Sequence, residues 1–246
     1  MKKILSVVLA IFMIMGLAAC GGSSTSSSNK LVMCTNAEFP PYEFKDGGVF
    51  KGIDIEVSKL IGEKLGVEVE IMDIAFDSLI STVNSGKADF AMAGMTVTED
   101  RLKNVDFSHT YQTAVQAVVV PSDSPIASID DLKDKKIGVQ LGTTGDIYCT
   151  GDFGEQAIER YPKIIDGMQA MKTGKLDACV IDDQVAKSIV AQDSGSYKIL
   201  ETPYAEEEYA IAVKKGNSEL LGKINGVIDE IKANGQLKSI INSYIK

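Results

Sequence analysis

Little in this chain can hold a metal or run acid–base chemistry. It has a single histidine, His109, four cysteines and no Cys-x-x-Cys pair. Neither the imidazole clusters nor the thiolate pairs of a metal centre are at hand. No Ser/His/Asp or Cys/His set is arranged for nucleophilic attack, which argues against an enzyme. Positive charge is also scarce. The 25 Lys and Arg are scattered and outnumbered by 34 Asp and Glu, for a formal charge of −9. A phosphate backbone needs a concentrated basic face, so nucleic acid is excluded as a partner. The longest nearly unbroken apolar run, residues 4–17, falls short of the roughly 20 residues a spanning helix needs. The Gly142-Thr143-Thr144-Gly145 turn lacks the Gly-Lys-Ser/Thr of a nucleotide loop.

What is present begins with an address. Lys2-Lys3 is a positive n-region, residues 4–17 an apolar h-region, and Leu17-Ala18-Ala19-Cys20 a small-residue cleavage site. This ending resembles the lipobox of bacterial lipoproteins, in which the cysteine is lipidated and becomes the first residue. The resemblance implies a lipoprotein signal peptide over 1–19, a lipid anchor on Cys20, and an extracytoplasmic chain held at the bacterial cell membrane. Removing 1–19 leaves 227 residues and takes the charge to −11. Residues 20–29, rich in Gly and Ser, read as a flexible tether. Three cysteines then remain, an odd number that cannot all pair internally. Cys34 and Cys179 lie in apolar strand-like runs, as buried thiols do. A Cys149–Cys179 bridge is left open.

A hydrophobic content of 45% supports a packed core, and the length suits one large domain or two small ones. A short strand at 31–35 runs into a Pro40-Pro41 loop that carries two aromatics. An amphipathic helix over 52–66 follows, with Ile53, Val57, Leu60, Ile61 and Leu65 on one face and Gly66 as its stop. Residues 67–74 alternate as a half-buried strand. A helix capped by Asp77 ends at Gly86, and a strand over 89–93 completes a βαβαβ order, which implies a parallel sheet. A long extended run, 110–120, ends at Pro121. The architecture then restarts: a short helix at Asp130-Asp131, a strand over 136–141, the 142–145 turn into a helix, a helix capped by Asp166, and a strand over 176–181. Gly86-Lys87-Ala88-Asp89 and Gly174-Lys175-Leu176-Asp177 echo each other at matching places, which suggests two lobes built alike. Residues 201–208 read as a loop, 209–213 as a strand, and two amphipathic helices that pad the first lobe end the chain.

Polar groups converge where the strands end. After Phe90-Ala91-Met92-Ala93, Gly94 lets a backbone approach a ligand, Thr96 offers a hydroxyl, and Arg101 offers a planar fork suited to a carboxylate. The plainer alternative has Thr98 capping a helix and Arg101 pairing with Glu99 or Asp106 in solvent. In the second half, the 142–145 turn opens a helix whose free N–H groups can receive an anion. Asp182 follows a buried strand. Ligands of open α/β sheets sit at such strand ends.

Asn36-Ala37-Glu38-Phe39-Pro40-Pro41-Tyr42-Glu43-Phe44, Gly52-Ile53-Asp54, Phe76-Asp77-Ser78-Leu79, Ala93-Gly94-Met95-Thr96-Val97-Thr98-Glu99-Asp100-Arg101 and Val105-Asp106-Phe107-Ser108 occur in this order. Together they resemble the polar amino-acid solute-binding proteins of ABC importers, the family-3 extracellular group. The resemblance covers essentially all of 30–246. It implies an α/β fold of the periplasmic-binding-protein type II: two α/β lobes joined by two crossover strands that close on a ligand. Lobe 1 is expected over 30–112 plus 209–246, and lobe 2, with hinge strands, over 113–208.

The resemblance also implies roles. Arg101 clamps the ligand α-carboxylate with Thr96 and the Thr144 N–H. Asp182, Thr96 and the Gly94 carbonyl hold the α-ammonium. Phe39 and Phe76 sandwich the side chain, and Gln140 and Asn36 face its tip. Thr143 completes the turn. Members that bind cationic amino acids often carry Asp where this chain has Asn36, and Glu38 is the nearby acidic substitute. The expected partners are a free L-amino acid, basic or glutamine-like, and a membrane permease. No cofactor, metal or enzymatic activity is expected, and the chain is expected to be a monomer. A sensor input domain is disfavoured because no membrane helix or signalling domain follows the fold in this sequence.

Overall fold

The computed structural model describes residues 30–193 and 195–245. The expected signal peptide, tether and Cys20 anchor fall outside the described residues. In chain order the elements are β1 (Lys30–Thr35), β2 (Glu38–Phe39), β3 (Glu43–Asp46), β4 (Val49–Lys51), α1 (Ile53–Leu65), β5 (Glu68–Asp73), α2 (Leu79–Asn84), β6 (Phe90–Ala91), α3 (Glu99–Leu102), β7 (Val105–Phe107) and β8 (Gln112–Pro121). Then come β9 (Ile137–Gln140), α4 (Thr144–Phe153), β10 (Ile158–Tyr161), α5 (Ile164–Lys172), β11 (Ala178–Asp182), α6 (Asp183–Gln192), β12 (Tyr197–Ile199), β13 (Ala205–Tyr209), β14 (Ala212–Lys214), α7 (Ser218–Ala233) and α8 (Gln236–Tyr244).

These elements form two sheet-containing lobes. The first sheet runs β5-β1-β6-β14-β7, and the second runs β10-β9-β11-β8-β12 with β13 beside β8. Pairing is parallel along β5-β1-β6 and along β10-β9-β11, as crossover helices require. The chain passes between sheets through β8 and returns along β13, which pair antiparallel from Ala205 opposite Gln116 to Tyr209 opposite Gln112. A third, small sheet runs β2-β3-β4.

Periodicity explains the helices. In α7, Leu220, Ile224, Val227, Ile228 and Ile231 recur on one face and are buried. Together with α8 they pack on α1. Gly66 ends α1 in a left-handed turn at φ 68°, returning its N–H to the Glu63 and Gly62 carbonyls. The echo between the halves is a duplicated fastening. The Asp89 carboxylate accepts the Val32 N–H at 2.7 Å while the Asp89 N–H donates to the Val32 carbonyl. Asp177 does the same with Lys136, accepting at 2.8 Å and donating at 2.9 Å. Each aspartate thus pins the start of an inner strand to its parallel neighbour.

Several expectations need correction. Residues 205–209 form a strand, not part of a loop. Its alternation was hidden because the inward residue Glu207 is charged: Glu207 and Tyr209 are buried while Glu206 and Glu208 face out. The expected strand over 209–213 is broken, since β13 ends at Tyr209 and β14 begins at Ala212. Asp77 caps nothing. It lies inside a single 3-10 turn, Phe76–Ser78, that leads into α2. Asp166 sits within the first turn of α5, which starts at Ile164, where its charge still favours the helix N-terminus. The strands β7, β10 and β12 and the β2-β3-β4 sheet are additions. Cys34, Cys149 and Cys179 are all free and buried, so Cys149 and Cys179 do not pair. No described helix is long and apolar enough to cross a membrane.

Candidate functional site

The cavity lies between the lobes where β1, β6, β9 and β11 end. About 300 Å³ of space is lined by Asn36, Phe39, Glu43, Phe76, Ala93, Gly94, Thr96, Arg101, Gln140, Thr143, Thr144 and Asp182. The structure therefore brings ten of the eleven sequence-derived candidates to one place.

Lobe 1 supplies the cation. Thr98 caps α3 by accepting the Arg101 N–H at 3.2 Å, which fixes the backbone from which the guanidinium projects. That side chain is buried, unlike the solvent pair considered from sequence. Nη1 donates to the Thr96 carbonyl at 2.7 Å, Nη2 donates to the Gly142 carbonyl of lobe 2 at 3.1 Å, and the guanidinium lies 5.3 Å from the Phe76 ring centre. A guanidinium carries five N–H groups, so these two bonds leave donors for a ligand. Burial lowers the Arg101 pKa, and the charge of Glu207, with Tyr148 and Asp182, works the other way.

Gly94 stands at φ 52°, and a Cβ there would lie 3.1 Å from the Phe39 ring. The glycine lets backbone and aromatic wall touch. Its N–H donates to Asp54 at 2.8 Å. Phe39 is stacked in turn on Tyr42, and Tyr42 meets Tyr209 edge-on at 5.1 Å.

Lobe 2 supplies the acid and an amide-rich turn. Thr143 is the N-cap of α4, accepting the Asp146 N–H at 3.4 Å. Thr144 is the first helical residue, whose N–H has no intrahelical acceptor. Asp182, the last residue of β11, receives Gln116 Nε2 at 2.9 Å and the Tyr209 hydroxyl. It does not cap α6. Burial, then the charge of Glu207, pushes its pKa well above the ordinary carboxyl range, against the Gln116 hydrogen bond. Gln116 Nε2 also donates to Glu207 at 2.9 Å, and Glu207 accepts the Thr96 hydroxyl at 3.0 Å. A hydrogen-bonded chain thus runs Thr96–Glu207–Gln116–Asp182, from one lobe to the other through both connecting strands.

At the other end of the cavity, Gln140 Nε2 donates to Asn36 Oδ1 at 2.8 Å and to the Pro162 carbonyl at 3.1 Å, while Asn36 Nδ2 donates to the Ile74 carbonyl at 3.0 Å. The two amides hold each other across the cleft. Glu38 is the one candidate not brought to the cavity. It forms an ion pair with Lys163 of lobe 2, and that cation takes it away from a ligand tip. Glu43 was missed. It follows Tyr42 in a segment rich in aromatics and prolines, and β3, buried at Glu43 and exposed at Lys45 and Asp46, shows no alternation that would point it inward. Among the described residues no cluster of His, Cys, Asp or Glu is arranged to hold a metal ion.

Residues 31–246 match the family described as bacterial extracellular solute-binding proteins, family 3. The chain is 36% identical over 248 residues to the arginine-binding extracellular protein ArtP of Bacillus subtilis (strain 168), covering 98% of this chain and 96% of that protein. Among solved structures, an ancestral arginine-binding protein bound to arginine is 42% identical with a TM-score of 0.83, covering 89% of this chain and 99% of that one. An ancestral arginine-binding protein bound to glutamine is 41% identical with a TM-score of 0.84, covering 88% and 98%.

Proposed function

The chain belongs to the bacterial extracellular solute-binding proteins of family 3, and from that premise we infer how its cavity works. It is an extracytoplasmic binding protein of type II fold that captures a polar L-amino acid between two lobes and delivers it to the permease of an ABC importer. One observation carries our reading of the site: Arg101 and Asp182, from opposite lobes, are both buried on the same small cavity as Phe39 and Phe76. A zwitterion with a side chain needs that set.

Arg101, with Thr96 and the Thr144 N–H, takes the α-carboxylate, and Asp182, Thr96 and the Gly94 carbonyl take the α-ammonium. Phe39 and Phe76 flank the side chain. Asn36, Gln140 and Thr143 close over its end. The lobes divide at 112/113 and 208/209, where Gln112 and Tyr209 pair, and closure turns about β8 and β13. The protein acts as a monomer without catalysis, tethered by lipid on Cys20. The ligand is a basic amino acid, arginine foremost, a reading supported by the relatives that bind arginine. Glutamine is the second reading, supported by the paired Asn36 and Gln140 amides and by the glutamine-bound relative.

A thermal-shift screen of the purified chain against the common L-amino acids tests this. A ligand at 100 times its Kd adds about 2.7 kcal/mol to stability. Stabilisation by arginine, lysine, histidine or glutamine supports the reading. Stabilisation by glutamate alone refutes the assignment of the cavity's far end.

A further inference from the structure

Behind Gly94 the cavity has a second acidic layer. Glu43, on β3, lines the cavity and is 1% exposed. Its carboxyl hydrogen-bonds that of Asp54, the second residue of α1, which is fully buried. Asp54 Oδ2 already accepts the Gly94 N–H at 2.8 Å and the Tyr111 hydroxyl at 2.9 Å. Apart from that carboxyl–carboxyl contact, neither Glu43 Oε2 nor Asp54 Oδ1 has a hydrogen-bond partner. Two carboxyl groups can bond each other only through a proton, and an unpaired buried carboxylate is strongly disfavoured. Asp54, with two donors, is the anion of this pair, which leaves the proton on Glu43.

We propose that the cavity exchanges a proton for its ligand's ammonium: Glu43 carries a proton before capture and releases it when the cationic group enters beside Asp182. This rests on the reading of the cavity as an amino-acid site. The surroundings favour it. Glu43 is faced by Asp54 from α1, Asp182 from β11 and Asp73 from β5, and Tyr42 and Tyr111 pack against the pair with hydroxyls that are neutral at physiological pH. Arg101 is the only cationic side chain among the described residues lining the cavity, and its bonds are to Thr96 and Gly142. Burial, then the charge of Asp54, holds the Glu43 pKa well above the usual carboxyl range, and burial raises that of Asp54 to about 6. An arriving ammonium reverses the balance, because an opposite charge at close range favours the ionised acid. The step is balanced: the Glu43 O–H bond breaks, the proton goes to solvent, and the resulting carboxylate faces the ligand cation.

The experiment is calorimetric titration of the full chain in detergent with L-arginine and with L-glutamine. It is run at pH 6.5 in two buffers that differ in ionisation enthalpy, and repeated from pH 5.5 to 8. We expect different apparent enthalpies in the two buffers, corresponding to release of up to one proton per ligand. Affinity should rise with pH by up to tenfold per unit and level off once Glu43 is ionised before capture. Glu43→Gln alters the affinity and should release up to one proton fewer per ligand than the wild type, leaving only the part owed to Asp182, whose carboxyl is also held above its ordinary range. Binding by the wild type with equal enthalpies in both buffers overturns the proposal without need of a variant. So does proton release that is undiminished in Glu43→Gln. No binding of any amino acid overturns the reading of the cavity itself, a distinct outcome.

Discussion

Replacing Arg101 by alanine should cost affinity far more than it costs the fold. Arg101 is 6% exposed, and the two assigned bonds of its guanidinium go to backbone carbonyls, one within its own lobe and one across the cleft. On the proposed reading, the remaining donors meet the ligand carboxylate in a site dried by closure. Truncating one partner of a buried, hydrogen-bonded charge pair costs roughly 2–5 kcal/mol. At about 1.4 kcal/mol per decade, Kd should rise on the order of 30- to several-thousand-fold. Arg101→Lys separates charge from shape. It keeps the cation but loses the fork and the face-on approach to Phe76, so it should fall between wild type and alanine. Calorimetry with arginine measures Kd for all three, and thermal melting without ligand checks that each variant folds. A Kd for Arg101→Ala within threefold of wild type, in a protein that melts cooperatively, would refute the assignment.

Gly52→Ala should destabilise the chain by more than about 3 kcal/mol in urea melts, because Gly52 sits at φ 121° and an added Cβ would lie 2.1 Å from the Tyr42 carbonyl; a change under 1 kcal/mol would contradict this. Burial pushes the thiols of Cys34, Cys149 and Cys179 up to about 12, so Ellman's reagent should find none of these three in the native chain and all three in guanidinium; fast native labelling would show an opening the fold does not account for. The Asp54 carboxyl is raised from its ordinary value to about 6, so the folded chain holds that proton more tightly than the unfolded one, and the contribution of Asp54 to stability declines as pH rises from about 4 to about 6. Asp54→Asn should remove that part of the pH dependence in denaturant midpoints, and an unchanged profile would exclude it. In a host that processes lipoproteins, Cys20→Ala should abolish lipid labelling, and continued labelling would place the anchor elsewhere.

The parts of this protein legible in its sequence are those where one physical signal dominates. The α1 and α7 stripes, the Gly66 stop and the parallel β1-β5-β6 order follow from apolar spacing and glycine placement. Arg101, Thr96 and Asp182 stood out as polar groups at strand ends, but capping and ion pairing were equally open to them from the residues alone, and the family resemblance singled them out. The misreadings share a cause. Where polarity and burial part company, composition points the wrong way: β13 looks like an acidic loop because its buried members are Glu207 and a tyrosine. Glu43 was passed over because its inward position is set by a three-stranded turn sheet too short to show a period. Glu38 looked available because its neutralising partner, Lys163, is 125 residues away.

The Thr96–Glu207–Gln116–Asp182 chain has a mechanical consequence. Gln116 and Glu207 lie on β8 and β13, the two strands that join the lobes. Groups on an axle travel least when the bodies on either side swing. The polar chain can therefore bend with the axle while the bonds out on the jaws, Arg101 to Gly142 and Gln140 to Asn36, are pulled apart. On the proposed reading, Asp182 would stay held by Gln116 through such a swing, so the acid assigned to the ammonium would already be aimed when the jaws stand open. The grip proposed for the carboxylate, with Arg101 against the far jaw, would be completed only at the end of the stroke. An amino acid would be met first at its nitrogen and locked last at its carboxylate.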